Sequence, residues 1–199
     1  QQISQFVTPN HKMVSLNFKG EEYTHTAEEG PHSKSHSYRK AITIDCESSC
    51  TLTDDQLRFI VALSADAKVD TRKSGNKVAH FYFIKDRKIE RLNSLIDKLG
   101  MKYTSYDKDY HGDYKNGKRY HTFNVQLEDW CVKKGLHIEW IETLNLRQRK
   151  LVLEEIILWD GNVCKGRNGF EFSSKLKSEA DLIQILAVTS GYHASLRKR

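Results

Sequence analysis

Two aspartates close two similar apolar runs in this chain. One run is Leu57-Arg58-Phe59-Ile60-Val61-Ala62-Leu63-Ser64-Ala65-Asp66-Ala67, and the other is Lys150-Leu151-Val152-Leu153-Glu154-Glu155-Ile156-Ile157-Leu158-Trp159-Asp160-Gly161. A pair of carboxylates delivered by two helix ends suits phosphodiester hydrolysis. That reaction needs a dianionic transition state neutralised and a water made nucleophilic, and a divalent ion held by carboxylates does both. Magnesium accepts one or two carboxylates and completes its shell with water and phosphate oxygens. Asp66 and Asp160 are therefore candidate catalytic residues and candidate Mg²⁺ ligands. Singly, each reads more simply as a solvated turn aspartate behind a helix; only the repetition favours chemistry.

The repetition extends beyond the acids. Asp66 is followed by Ser74-Gly75, the strand-like Phe81-Tyr82-Phe83, a helical pattern at Ile89, Leu92, Leu95, Ile96 and Leu99, and a Gly100 stop. Asp160 is followed by glycines from Gly166 to Gly169, Phe170-Glu171-Phe172, the pattern Leu182, Ile183, Ile185 and Leu186, and then Gly191. A unit repeated at about ninety residues is too long for a solenoid and implies two half-domains related by a pseudo-twofold.

From Thr51 to Arg199 the paired runs resemble degenerate copies of the motif of LAGLIDADG homing endonucleases. Departures are Ser64 at the usual first acid, Val61 and Ala67 at glycine positions, and Glu155 and Trp159 where small residues allow close helix contact. The resemblance implies an α+β fold with two pseudo-symmetric αββαββα halves, whose strands form a saddle over double-stranded DNA. It implies a sequence-specific, metal-dependent endonuclease acting as a monomer, with Asp66 and Asp160 at a shared centre. Lys133 to Ile141 is similar to a block before the second motif that carries a lysine to that centre, here Lys134 with Lys133 the alternative. Ser173-Ser174-Lys175-Leu176 is similar to a recurrent pattern that makes Lys175 a second catalytic lysine. Lys85 sits at the comparable strand-to-helix junction of the first half. The strand faces implied to meet DNA carry Lys68, Asp70, Arg72, Lys77, His80, Tyr82, Lys85, Lys165, Arg167, Glu171 and Ser173.

The elements that must position these residues follow from local signals. Thr53-Asp54-Asp55-Gln56 is a capping-box pattern that starts the first motif helix. Strand alternation places Lys68, Asp70 and Arg72 on one face and Val69 and Thr71 on the other. Asp86 to Leu99 reads as a helix capped by Asp86 and stopped by Gly100. Met101 to Tyr106 and Lys118 to Val125 form a second hairpin with a polar tip at 107–117. The halves run 51–126 and 144–199, with a connector at 127–143.

Residues 1–50 differ, being rich in Ser, Thr, His and Lys with short alternations such as Val14, Leu16 and Phe18, so a β-rich extension or arm is expected. Thr8 and His11 resemble the T-x-x-H block of intein splicing domains. The end blocks that splicing requires are not present in this sequence.

A net charge of +6 favours a polyanionic partner without proving one. No apolar stretch approaches a membrane span and no signal peptide is visible, which leaves the compartment open. The DNA target that the resemblance implies makes an intracellular protein, wherever that DNA lies, without membrane contact the expectation. Cys46, Cys50, Cys131 and Cys164 lack paired metal-ligand spacing and read as free thiols. His25, His32, His36, His111 and His121 are scattered without metal-ligand spacing and receive no chemistry. Rival readings are a non-cleaving DNA- or RNA-binding module on the same fold, such as a maturase or regulator, and part of a protein-splicing intein.

Overall fold

The structure, a computed structural model, describes residues 10, 12–16, 19, 21–29, 37–38, 41–109, 119–164 and 169–196. Lys165, Arg167, Thr8 and His11 lie outside the described residues.

The N-terminal strands β1 (Lys12–Leu16), β2 (Glu22–Thr26) and β3 (Ser37–Tyr38) form a small antiparallel sheet in the order β2-β1-β3. An extended strap then crosses residues 41–50. It is held by Ile42 N–H on Val188 O and Ile44 N–H on Thr189 O, both 2.9 Å, and by a bridge between Thr43 and Ser190.

The centre is α1 (Asp54–Asp66), started by the expected capping box between Thr53 and Gln56. Leu57 and Phe59 through Leu63 are all buried, so the helix is apolar nearly all round and forms the core rather than covering it. After it come β4 (Lys68–Thr71), β5 (Lys77–Phe83), α2 (Asp86–Leu99), β6 (Tyr103–Asp109) and β7 (Arg119–Gln126). The four strands pair antiparallel in the order β4-β5-β7-β6. Gly100 closes α2 at φ 64°, where the left-handed backbone favours glycine, and Met101 N–H reaches Ile96 O. At the other end, Lys85 and not Asp86 is the capping residue, and it makes no side-chain cap bond.

The connector forms a 3₁₀ turn at Asp129–Cys131 and a short helix, α3 (Trp140–Thr143). The second motif helix is α4 (Leu146–Trp159), which begins four residues before the apolar run through a second capping box, Asn145 with Gln148. Then follow β8 (Asn162–Val163), β9 (Phe170–Glu171) and α5 (Lys177–Thr189). The α+β class stands, and the repeat is unequal. The first half reads αββαββ, whereas among the described residues the second reads αββα, its strands a two-residue ribbon. Among the described residues the four-stranded sheet and the two-residue ribbon are separate sheets.

Candidate active site

α1 and α4 run side by side and parallel, because contacts fall in matching order along both. Near their starts, Arg147 holds Asp54 through two nitrogens at 2.5 and 2.9 Å. Midway, Arg58 Nε lies 3.7 Å from Glu155 Oε2. At their C-terminal ends, Lys88 Nζ lies 2.6 Å from Asp66 Oδ2 and 3.7 Å from Asp160 Oδ1. The two aspartates therefore share one ammonium.

Each aspartate is placed by its helix end. Asp66 is the last residue of α1, and Ala67 behind it turns extended and buried. Asp160 caps α4, and Gly161 folds back so tightly that a Cβ there would lie 2.5 Å from Ile157 Cα. Only glycine fits this second turn. The Asp160 carboxyl is pushed above its ordinary range, first by burial and then by the Asp66 charge, while Lys88 and Lys134 pull it back. A carboxylate crowded by a second carboxylate gains from any cation that enters.

Lys88 was not evident among the expected basic residues. Lys85 is exposed at the start of α2, and the ammonium that meets the acids comes from one turn later. A sequence signal existed: Lys88 lies one helical turn before Leu92 and two before Ile96, so it continues the buried stripe of α2. Its ammonium lies 6.0 and 5.8 Å from the ring centres of Phe83 and Trp159, within range of both ring faces.

Lys134 donates to the Ala67 carbonyl beside Asp66. Lys175 and Ser173 line a cleft of about 310 Å³ together with Ser64, Asp160 and Ser174. Lys134 thus comes to the pair from the connector, and Lys175, from the segment before α5, shares the cleft with Asp160.

Strand pairing decides the sheet faces. Lys68 pairs with His80 and His80 with Asn124, and their side chains run as a polar row: Lys68 to Asp70 at 3.0 Å, His80 Nδ1 to Asn124 Oδ1 at 2.7 Å, and Asn124 Nδ2 to Thr104 Oγ1 at 3.3 Å. Tyr82 stands on this face and is half exposed, as is Tyr106 across Thr122. The opposite face carries buried Ala79, Phe81, Phe83, Phe123 and Val125. Lys77 must be corrected: it alternates with Ala79 onto that face and donates to Val132 O at 3.0 Å, tying the connector down. Arg72 lies beyond β4 in the hairpin turn, its N–H on Asn76 O at 2.8 Å. Glu171 is exposed on β9.

The donor set suits a hard divalent cation. Two partly exposed carboxylates already attract one ammonium, and a cleft opens beside Asp160, a combination of oxygen donors and space that magnesium accepts. Among the described residues no third His, Cys, Asp or Glu joins them. All four cysteines are free, and burial pushes the Cys131 thiol up to about 11, away from thiolate reactivity. No described helix is long and apolar enough to cross a membrane.

No family model matches the chain. It is 24% identical over 153 residues to the ribonucleoside-diphosphate reductase subunit beta of Aquifex aeolicus (strain VF5), covering 67% of this chain and 20% of that protein. The chain thus matches about a fifth of that relative's length. Among solved structures it is similar to I-DmoI in complex with DNA and Mn, with a TM-score of 0.43 and 16% identity over 67% of this chain and 76% of the other. It is also similar to the N-terminal LAGLIDADG domain of DUF199/WhiA, with a TM-score of 0.47 and 10% identity over 70% and 67%. A third is the homing endonuclease I-WcaI bound to its DNA recognition sequence, with a TM-score of 0.38 and 16% identity over 67% and 66%.

Proposed function

We propose that the chain is a sequence-specific double-strand DNA endonuclease of the LAGLIDADG type, acting as a monomer with an internal pseudo-twofold. The observation that carries the reading is the pair of carboxylates, Asp66 and Asp160, brought to one ammonium by two parallel central helices. Asp66 and Asp160 would hold Mg²⁺, which supplies charge neutralisation and an acidified water at the scissile phosphate. Lys134, beside Asp66, and Lys175, in the cleft with Asp160, can orient a phosphate oxygen or the leaving group. The polar sheet face with Lys68, Asp70, His80 and Tyr82 would lie on the duplex. There, lysines position the backbone and polar side chains read base edges. Lys165, Arg167, Glu171 and Ser173 would extend that contact from the second half.

The test is incubation of the purified chain with Mg²⁺ and a randomised duplex library. Cleavage at one sequence is expected. Asp66→Asn and Asp160→Asn should each lower cleavage by about two orders of magnitude, roughly 3 kcal/mol of lost transition-state stabilisation, while duplex binding persists. Equal loss of binding and cleavage would overturn the reading.

A second reading, a non-cleaving DNA-binding module, draws on one observation: Lys88 already neutralises the carboxylates that a metal ion would need. Binding of one sequence without Mg²⁺-dependent breakage would favour it. The Thr8–His11 block and the match to part of a longer protein support a place inside an intein. The flanking gene sequence tests that, and splice-junction residues on both sides are expected.

A further inference from the structure

Lys88 has one property the proposed chemistry does not use. Its ammonium stands where a cation serving both acids would stand, 2.6 Å from Asp66 and 3.7 Å from Asp160, and the side chain is only 12% exposed. We propose that Lys88 is a resident counter-ion of the carboxylate pair that competes with the divalent ion, and that a duplex phosphate draws the ammonium away, making ion and DNA binding cooperative. The inference rests on the metal-ion reading above.

Three features support it. First, a divalent ion entering between Asp66 and Asp160 would meet a like charge within contact distance, so the resting site disfavours it. Second, the polar anchoring is light. The ammonium has three donors, of which Asp66 takes one at hydrogen-bond distance while Asp160 at 3.7 Å attracts by charge alone, so a donor is left for a phosphate oxygen. Third, the residue type permits withdrawal. A lysine is a point charge on a flexible four-carbon stem, whereas Arg91, on the same helix, is locked in a fork on Glu155 and could not leave without stranding a buried carboxylate. The neighbouring Lys134 is engaged on the Ala67 carbonyl, so its charge already sits beside the site. Linkage then makes the effect reciprocal: whatever factor the duplex adds to ion affinity, the ion adds to duplex affinity.

The experiment measures Mn²⁺ binding to the full chain by loss of the free-ion paramagnetic signal, with and without a short mixed-sequence duplex. Wild type, Lys88→Gln, Lys88→Met and Lys88→Arg are compared. Without DNA, Lys88→Gln and Lys88→Met should bind Mn²⁺ about tenfold tighter than wild type, a coupling of ordinary size, and Lys88→Arg should not. With the duplex, wild type should gain by about the same factor and the neutral variants should gain little. Lys88→Met keeps an unbranched apolar side chain beside the Phe83 and Trp159 rings that the ammonium approaches, so it guards against a packing failure. Equal Mn²⁺ affinity of wild type and both neutral variants would overturn the counter-ion role and leave the metal-ion reading intact. No Mn²⁺ binding by any chain, with or without duplex, would overturn both. Unfolding of both neutral variants even in saturating Mn²⁺ would make Lys88 a structural residue and overturn the inference.

Discussion

Arg91 closes on Glu155 with Nε at 2.7 Å and a second nitrogen on the other carboxylate oxygen, joining α2 to the middle of α4. Glu155 is 1% exposed and also accepts from the Trp159 indole at 2.7 Å, with Arg58 3.7 Å away. This charge replaces the small residue expected at a close helix crossing, and it raises Arg91 above its ordinary pKa through the hydrogen bond to Glu155.

Glu155→Ala should therefore destabilise the chain strongly. Removing one partner of a buried ion pair costs roughly 3–5 kcal/mol, and the partial exposure of Arg91 sets the expectation at the lower end. Urea unfolding measures it. A cost under about 1 kcal/mol would show that the pair is no more than a surface contact.

Gly161→Ala should cost about 1–3 kcal/mol, because the new methyl has no space against Ile157 and the last turn of α4 must open. Asp160 would shift with it, so Mn²⁺ affinity should fall in the same variant. Unchanged stability and unchanged ion binding together would contradict the close approach.

Asp160→Asn should make the ion-free chain more stable near neutral pH. Burial and the Asp66 charge raise the folded carboxyl above its unfolded value of 3.8, so the folded chain binds this proton more tightly than the unfolded chain does. The stability from that proton is present below the unfolded value and is lost as pH rises through the folded one. The amide removes the slope. The gain should stay below about 1 kcal/mol because the carboxylate keeps solvent contact. Urea titrations across acid and neutral pH check the sign, and a less stable variant at neutral pH would mean that the Lys88 contact outweighs burial.

Lys68→Ala and Lys77→Met should separate the two sheet faces. Lys68 stands exposed on the polar face, so its removal should weaken all duplexes alike and lower the log–log salt slope by about one. Lys77→Met should leave the slope unchanged and cost about 1 kcal/mol of stability through the lost bond to Val132 O. Binding isotherms over a salt series with parallel denaturation distinguish them, and a slope change on Lys77→Met would reverse the face assignment.

Several of these features were legible in residue order alone. The repeated run ending in aspartate marked both central helices, Thr53 with Gln56 marked the start of α1 and Gly100 the end of α2, because capping and left-handed turns are local. Lys88 was legible in principle through the stripe it shares with Leu92 and Ile96. The alternation that turns His80 and Tyr82 outward turns Lys77 to the opposite face, toward Val132 O. The Arg91–Glu155 pair spans 64 positions, and no periodicity predicts which arginine meets a buried glutamate. The strap at 41–50 carries no periodic pattern, since its hold comes from backbone groups, from buried Arg149 reaching the Ile44 carbonyl and from Ser48 donating to Gln148.

That strap has a topological outcome. Thr43 bridges Ser190, so the path into the helical core and the path out of it lie side by side on one surface. A segment with adjacent entry and exit can interrupt a loop of another polypeptide without prising that loop apart, and it can be circularly permuted by joining the two strands and opening the chain elsewhere.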